Sequence, residues 1–152
     1  MAAGSQHTKI NMFIFWLLMT SIIMMEAKNG QWLLFGYLLS TFWLNPDLDM
    51  NNTRPDQNYG YVVHRIWDLH TWVFSHRSRM SHSIYATPIR ILYLGAVICV
   101  YLAFVNESYL IKIRPFLKSD QFRLLIIGIW LGDIMHLIAD EVKDWYNKIR
   151  RS

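Results

Sequence analysis

Four long apolar stretches dominate the pattern along the chain, and polar segments separate them: Ile10–Met25, Gln31–Leu44, Ile91–Val105 and Phe122–Ile138. Each stretch is apolar throughout rather than alternating, is too long for a buried strand and contains no proline. These properties predict helices. The length of 152 residues fits one domain. The pattern therefore predicts an all-α protein that forms a single domain over residues 1–152.

Local signals mark where the predicted helices begin and end. Asn29-Gly30 is a turn signal, so the first two helices should form a hairpin. Pro88 suits the first turn of the third helix, where a missing N–H costs nothing, and Ser119-Asp120 can cap the fourth. Between the second and third helices, Tyr61–Phe74 carries its apolar residues on one face. This pattern predicts an amphipathic helix in the long central loop.

Composition decides what surrounds these helices. Apolar residues make up 53% of the chain and charged residues 17%, against about 45–50% and about 25% in ordinary soluble domains. The apolar runs fall short of the roughly 20 residues that a full crossing needs, but Trp16, Trp32 and Trp43 can anchor them at an interface. We therefore expect about four membrane-embedded helices with membrane lipids as partners. A very apolar soluble bundle is the alternative.

The distribution of charge predicts an orientation and excludes some functions. The net charge is +4, but no block of five or six basic residues occurs, so no nucleic-acid partner is indicated. No specific protein partner is indicated either. One cysteine, Cys99, rules out an internal disulfide and a site of paired thiolates. In a multi-pass topology with four spans, the N-terminus, the Asn45–Thr87 loop and the C-terminus share one side. That side carries most of the Lys and Arg residues, which predicts that it is cytoplasmic.

The fourth apolar stretch contains the most specific candidate chemistry. Asp133, His136 and Asp140 follow one another at offsets of three and four, which places them on one helix face. A carboxylate at the centre of a bilayer costs about 2.5–3.5 kcal/mol, so it normally has a partner. A divalent metal ion is the partner we expect. A His–Asp pair that bridges two helices is the structural alternative.

Further metal-binding candidates fall on the same predicted side of the membrane. Asp47 and Asp49 follow Pro46 at the end of the second apolar stretch, where they are either paired oxygen donors or residues of a capped turn. His76 and His82 lie six positions apart and enclose Arg77, whose planar guanidinium can hold a phosphate oxygen. A solvated basic loop is the alternative for this second group.

The order of these motifs resembles the YdjM-like proteins, which are predicted membrane-bound metal-dependent hydrolases. The resemblance is closest to a related family of uncharacterised proteins predicted to bind metal, whose start corresponds here to Gly4-Ser5-Gln6-His7-Thr8. Both groups are regarded as distant relatives of the all-helical zinc-dependent phospholipase C and single-strand nuclease superfamily. The resemblance implies a ligand role for seven residues: His7, Asp47, Asp49, His76, His82, His136 and Asp140. Asp133 and Met135 depart from the family pattern, in which a small residue and a serine are expected.

These residues are compatible with a metal-dependent hydrolase that acts on phosphoester or lipid-like substrates. The mixed nitrogen and oxygen donors favour Zn²⁺, with Mn²⁺ and Fe²⁺ as alternatives. A divalent metal lowers the pKa of a water molecule that it binds to about 7. Asp49 or Asp133 would then accept the proton, while Arg77 stabilises charge on the phosphoester. The competing hypothesis is a non-enzymatic membrane metal-binding or scaffold protein. No residue identifies a substrate.

Overall fold

The computed structural model describes residues 3–44, 85–106 and 108–151. In these ranges the prediction of an all-α protein is confirmed, because they contain helices and no strand. The helices are α1 (Ala3–Met24), α2 (Gly30–Leu39), α3 (Ala86–Val105), α4 (Ser108–Leu117) and α5 (Asp120–Arg151), and a π-helical turn (Ser40–Leu44) continues α2. The amphipathic helix predicted for Tyr61–Phe74 lies outside the described residues.

Three predicted helix-end signals are confirmed, although α1 begins at Ala3, before the predicted Ile10, and α5 extends to Arg151, beyond the predicted Ile138. Asn29 takes a left-handed conformation with φ of 62° directly before α2, as expected for the turn of a helical hairpin. Pro88 lies in the first turn of α3. Ser119 caps α5, because its Oγ accepts a hydrogen bond of 3.2 Å from the backbone N–H of Phe122.

The pattern of apolar positions does not predict α4. Ser108–Leu117 combines exposed apolar residues with Lys112, Arg114 and Pro115, so it lacks the unbroken apolar run by which the other helices were predicted. Pro115 lies near the end of α4, and the helix ends two residues later. The segment between the two longest apolar helices is therefore helical rather than a simple loop.

The expectation of about four spanning helices needs correction. Among the described residues, two helices, Ala86–Val105 and Asp120–Arg150, are long and apolar enough to cross a membrane. The apolar part of α1, Lys9–Met24, is shorter than the usual requirement. The ten residues of α2 and the five of the π-helical turn rise only about 1.5 Å each, so together they fall well below the roughly 30 Å of a bilayer core.

Close backbone packing joins α2 to α5. A methyl group at Gly36 would overlap the carbonyl oxygen of Leu125, and one at Gly128 would overlap the carbonyl oxygen of Leu33. Further along both helices, a Cβ at Gly132 would lie 2.7 Å from the Cβ of Ser40. The contacts advance together along the two helices, so α2 and α5 run in the same direction. Small residues at these positions let the helix backbones approach closely.

Much of the apolar surface of the described helices is uncovered. On α3, Leu92 is 73% exposed and Phe104 is 89% exposed, and Phe13 and Met24 on α1 are also exposed. Helices that are apolar all round are characteristic of membrane spans or of the interior of a larger protein. The described helices do not cover these surfaces themselves.

Candidate metal centre

Asp133 lies at the meeting point of three helical segments. Its Oδ1 accepts a hydrogen bond of 2.5 Å from the Ser40 hydroxyl, at the start of the π-helical turn. Its Oδ2 accepts a bond of 2.5 Å from the Thr87 hydroxyl and one of 2.6 Å from Nη2 of Arg90, both on α3. Only 1% of Asp133 is exposed. One buried carboxylate therefore holds α3 and the end of α2 against α5.

Local sequence explains how these partners reach Asp133. Gly132 has no side chain, which leaves room for Ser40 directly beside it. Thr87 and Arg90 lie in the first turns of α3, around Pro88, and their offset of three places them on the same face of that helix. The two hydroxyls and the guanidinium can therefore converge on one carboxylate.

The described partners of Asp133 are a guanidinium and two hydroxyls, which compensate its buried charge. The sequence pattern predicts a divalent metal as the partner of this carboxylate. Arg90 was not among the predicted site residues. The sequence does indicate that Arg90 has a partner, because Arg90 is the one charged residue in α3. A charged residue in an apolar helix normally pairs with an opposite charge.

His136 and Asp140 continue the same face of α5 beyond Asp133. His136 is buried, with 2% of the residue exposed, and its Nε2 lies 3.5 Å from Oδ2 of Asp140. The Asp140 side chain is about a third exposed. The predicted offset of four residues thus brings an imidazole nitrogen and a carboxylate oxygen together at the edge of the bundle.

The N-terminal end of α1 lies near the level of Asp133 and Ser40 along the bundle. The Tyr37 hydroxyl on α2 donates a hydrogen bond of 3.2 Å to the backbone carbonyl oxygen of Asn11, and both residues are buried. His7 precedes Asn11 by one turn of α1, and Ser40 follows Tyr37 by about one turn of α2. Because α1 and α2 form a hairpin, the backbone at His7 lies toward the end of the bundle where the π-helical turn and α3 meet. The side chain of His7 lies outside the described residues.

A small cavity opens at this meeting point. Its lining comes from the π-helical turn, α3 and α5: Leu44, Thr87, Arg90, Ile91, Ile129 and Asp133. It has room for about one water molecule, whereas pockets for small molecules usually enclose about 300–1,000 Å³. This cavity is therefore too small to hold a small-molecule substrate.

The donors at His136 and Asp140 fit a divalent metal but do not complete a site. An imidazole nitrogen and a carboxylate oxygen are ligands that Zn²⁺ and related ions accept. Protein zinc sites use three or four protein ligands, and the described residues contain no group of three or more His, Cys, Asp or Glu residues placed to hold a metal. The other predicted residues, Asp47, Asp49, His76, Arg77 and His82, lie outside the described ranges.

Comparison with known proteins identifies a relative and a family. An uncharacterized protein of Aquifex aeolicus is 28% identical to this chain, and the match covers 74% of this chain and 90% of the relative. No solved structure shows a significant match. A family described as uncharacterized metal-binding proteins, DUF2227, matches residues 2–150. Because that match covers nearly the whole sequence, the chain belongs to the DUF2227 family of metal-binding proteins.

Proposed function

We propose that this protein is a membrane protein that binds a divalent metal, most readily Zn²⁺, through seven residues: His7, Asp47, Asp49, His76, His82, His136 and Asp140. The observation that carries the proposal is the pair of His136 and Asp140, which lies beside the meeting point of three helical segments at Asp133. Membership of a metal-binding family supports the same reading.

Chain connectivity supports the participation of residues from the central segment. Leu44 and Thr87 line the same cavity as Asp133. Asp133 lies one turn before His136 on α5. Asp47 follows Leu44 by three residues, and an extended chain spans at most about 3.6 Å per residue. Asp47 is therefore tethered within about 11 Å of Leu44. His82 precedes Thr87 by five residues and is tethered within about 18 Å of it.

The uncovered apolar surface supports the membrane part of the proposal. The exposed residues on α3 and the two helices of spanning length suit a lipid surrounding. Because a short helical connection returns the chain from α3 to α5, the start of α3 and the end of α5 would lie on one side of the bilayer. The excess of basic residues there favours the cytoplasmic side for the metal centre.

Hydrolysis of a phosphoester or lipid-like substrate is the more specific form of the proposal. A bound divalent metal would supply Lewis acidity and activate water. Asp49 is then the better candidate for the proton acceptor, because both carboxylate oxygens of Asp133 already accept hydrogen bonds. Arg77 would hold a phosphate oxygen. A scaffold that uses metal only for stability is the competing form.

Metal analysis of the purified protein tests the proposal. We expect stoichiometric zinc, manganese or iron in the wild-type protein and loss of most of it in His136→Ala. His70→Ala is the matched control, because His70 lies outside the proposed ligand set, and it should retain the metal. A wild-type protein that contains no transition metal, and takes up none on incubation, would falsify the proposal.

The same two variants separate an enzyme from a scaffold. Bis(p-nitrophenyl) phosphate and a detergent-dispersed phospholipid serve as substrates, and metal content is measured on the same samples. A hydrolase turns over at least one of them when the metal is bound, and activity follows metal content in His136→Ala. Metal-dependent thermal stability without turnover of either substrate would favour the scaffold.

A further inference from the structure

The network around Asp133 has a role in the proposed metal centre that differs from ligation. We infer that Ser40, Thr87, Arg90 and Asp133 are positioning residues. They hold the end of α2 and the start of α3, which flank the central segment with four of the proposed ligands, in one arrangement beside His136 on α5. The inference rests on the proposed function, since it concerns how the proposed ligands are placed.

The first support is the saturation of Asp133. Its two carboxylate oxygens accept three hydrogen bonds, and its negative charge is compensated by Arg90 at 2.6 Å. A divalent cation at this carboxylate would have to displace the Arg90 guanidinium from Oδ2 or compete with it for the negative charge. Breaking the ion pair would leave the buried guanidinium of Arg90 without its anionic partner, which is strongly unfavourable. Asp133 therefore suits neither ligation nor general base chemistry.

The second support is where the partners of Asp133 lie in the chain. Ser40 lies five residues before the Asn45-Pro46-Asp47 segment, and Thr87 lies five residues after His82. The same carboxylate thus fixes the chain just before and just after the central segment that carries four of the seven proposed ligands. It does so one helical turn from His136, on the same face of α5.

The third support is the geometry of the packing. Ser40 reaches Asp133 because Gly132 leaves space beside it, and the backbone contacts at Gly36 and Gly128 bring α2 onto α5. A carboxylate held by three donors on two other segments allows little sliding of these segments along α5. Interactions that orient metal ligands from outside the coordination shell typically change metal affinity about 10–100-fold when they are removed.

Binding of Co²⁺ to the full-length protein tests the inference, because the absorption of Co²⁺ reports the geometry of its ligands. Ser40→Ala and Thr87→Val each remove one hydroxyl and retain the ion pair. The double variant Asp133→Leu with Arg90→Met removes both charges and keeps an apolar filling, a change that buried ion pairs often tolerate. The matched control is Asp120→Asn, which removes the carboxylate of an exposed ion pair on the same helix.

We expect the control to bind Co²⁺ as the wild-type protein does. The double variant should bind about 10–100-fold more weakly, with an altered Co²⁺ spectrum, while its helical content without metal stays that of the wild-type protein. The hydroxyl variants should show smaller changes in the same direction. A purely structural role would change the melting temperature without changing the spectrum.

Three other outcomes would overturn the inference. Wild-type affinity and spectrum in the folded double variant would show that the network does not position the ligands, although the proposed function would stand. Loss of helical content in every variant before metal is added would show that the network holds the fold alone. Absence of a Co²⁺ spectrum in the wild-type protein would overturn the proposed function as well.

Discussion

Two Asp–Arg pairs that involve α5 have similar contact distances and opposite surroundings. Asp133 and Arg90 lie 2.6 Å apart, with side-chain exposures of 2% and 6%. Asp120 and Arg123 lie 3.0 Å apart, with exposures of 77% and 71%. The exposed pair is local to one turn of α5, whereas the buried pair joins α5 to α3 across 43 residues of sequence. The same chemistry therefore gives a surface contact in one place and a fold-determining contact in the other.

The surroundings of each pair decide how much it contributes to the free energy of unfolding. Water already solvates Asp120 and Arg123, so their attraction adds about 0–1 kcal/mol to stability. Asp133 and Arg90 have lost that solvation, and the two hydroxyls of Ser40 and Thr87 replace part of it. Each buried group depends on the others, so the removal of one leaves the rest without compensation.

The largest effect should follow the removal of one buried charge. Asp133→Ala leaves the Arg90 guanidinium buried without an anion, and we expect a loss of about 3–5 kcal/mol in the free energy of unfolding. Asp120→Ala should change it by less than about 1 kcal/mol. Denaturant unfolding followed by circular dichroism measures both. Equal effects from the two substitutions would mean that burial does not distinguish the two pairs.

Substitution of the packing glycines should have the next largest effect. Gly128→Ala places a methyl group against the backbone of Leu33 and Tyr37, neither of which can move without displacing α2. We expect a loss of about 1–3 kcal/mol. Gly95→Ala on α3 is the control, because its Cβ would meet nothing within 4 Å, and it should be neutral or stabilising by up to about 1 kcal/mol. Thermal unfolding of the two variants checks the contrast.

The smallest effect concerns a buried polar contact without formal charge. Tyr37→Phe removes the hydrogen bond to the carbonyl oxygen of Asn11 and should cost about 0.5–1.5 kcal/mol. Tyr101→Phe serves as the control, because Tyr101 is 64% exposed, and it should leave stability unchanged. An effect at Tyr37 as large as that of Asp133→Ala would show that burial, rather than charge, dominates both sites.

Parts of the site were predictable from local sequence, and other parts were not. The offset of four predicted that His136 and Asp140 share a helix face, because this follows from helix geometry alone. The ion pair of Arg90 with Asp133 was missed, since a separation of 43 residues has no local periodicity. The charge of Asp133 within an apolar stretch was visible in the sequence, but its partner was not.

The number of spanning helices was also not predictable from local sequence. Apolar runs identified the helices, but whether a helix such as α3 or the shorter α2 is long enough to cross a membrane depends on where it ends. The end of α4 near Pro115 and the close packing at Gly128 also depend on neighbours. Local composition therefore predicted which segments are helical more reliably than how they assemble.

Local sequence is enough to predict the helical class, the helix-end signals at Asn29, Pro88 and Ser119, and the common face of His136 and Asp140. These properties depend on backbone preferences and on spacing within one helix. The pairing of Asp133 with Arg90, and the hydrogen bonds from Ser40 and Thr87, follow from tertiary packing. The physical reason is that a buried charge takes its partner from whichever segment packs against it, and packing brings together residues far apart in the chain.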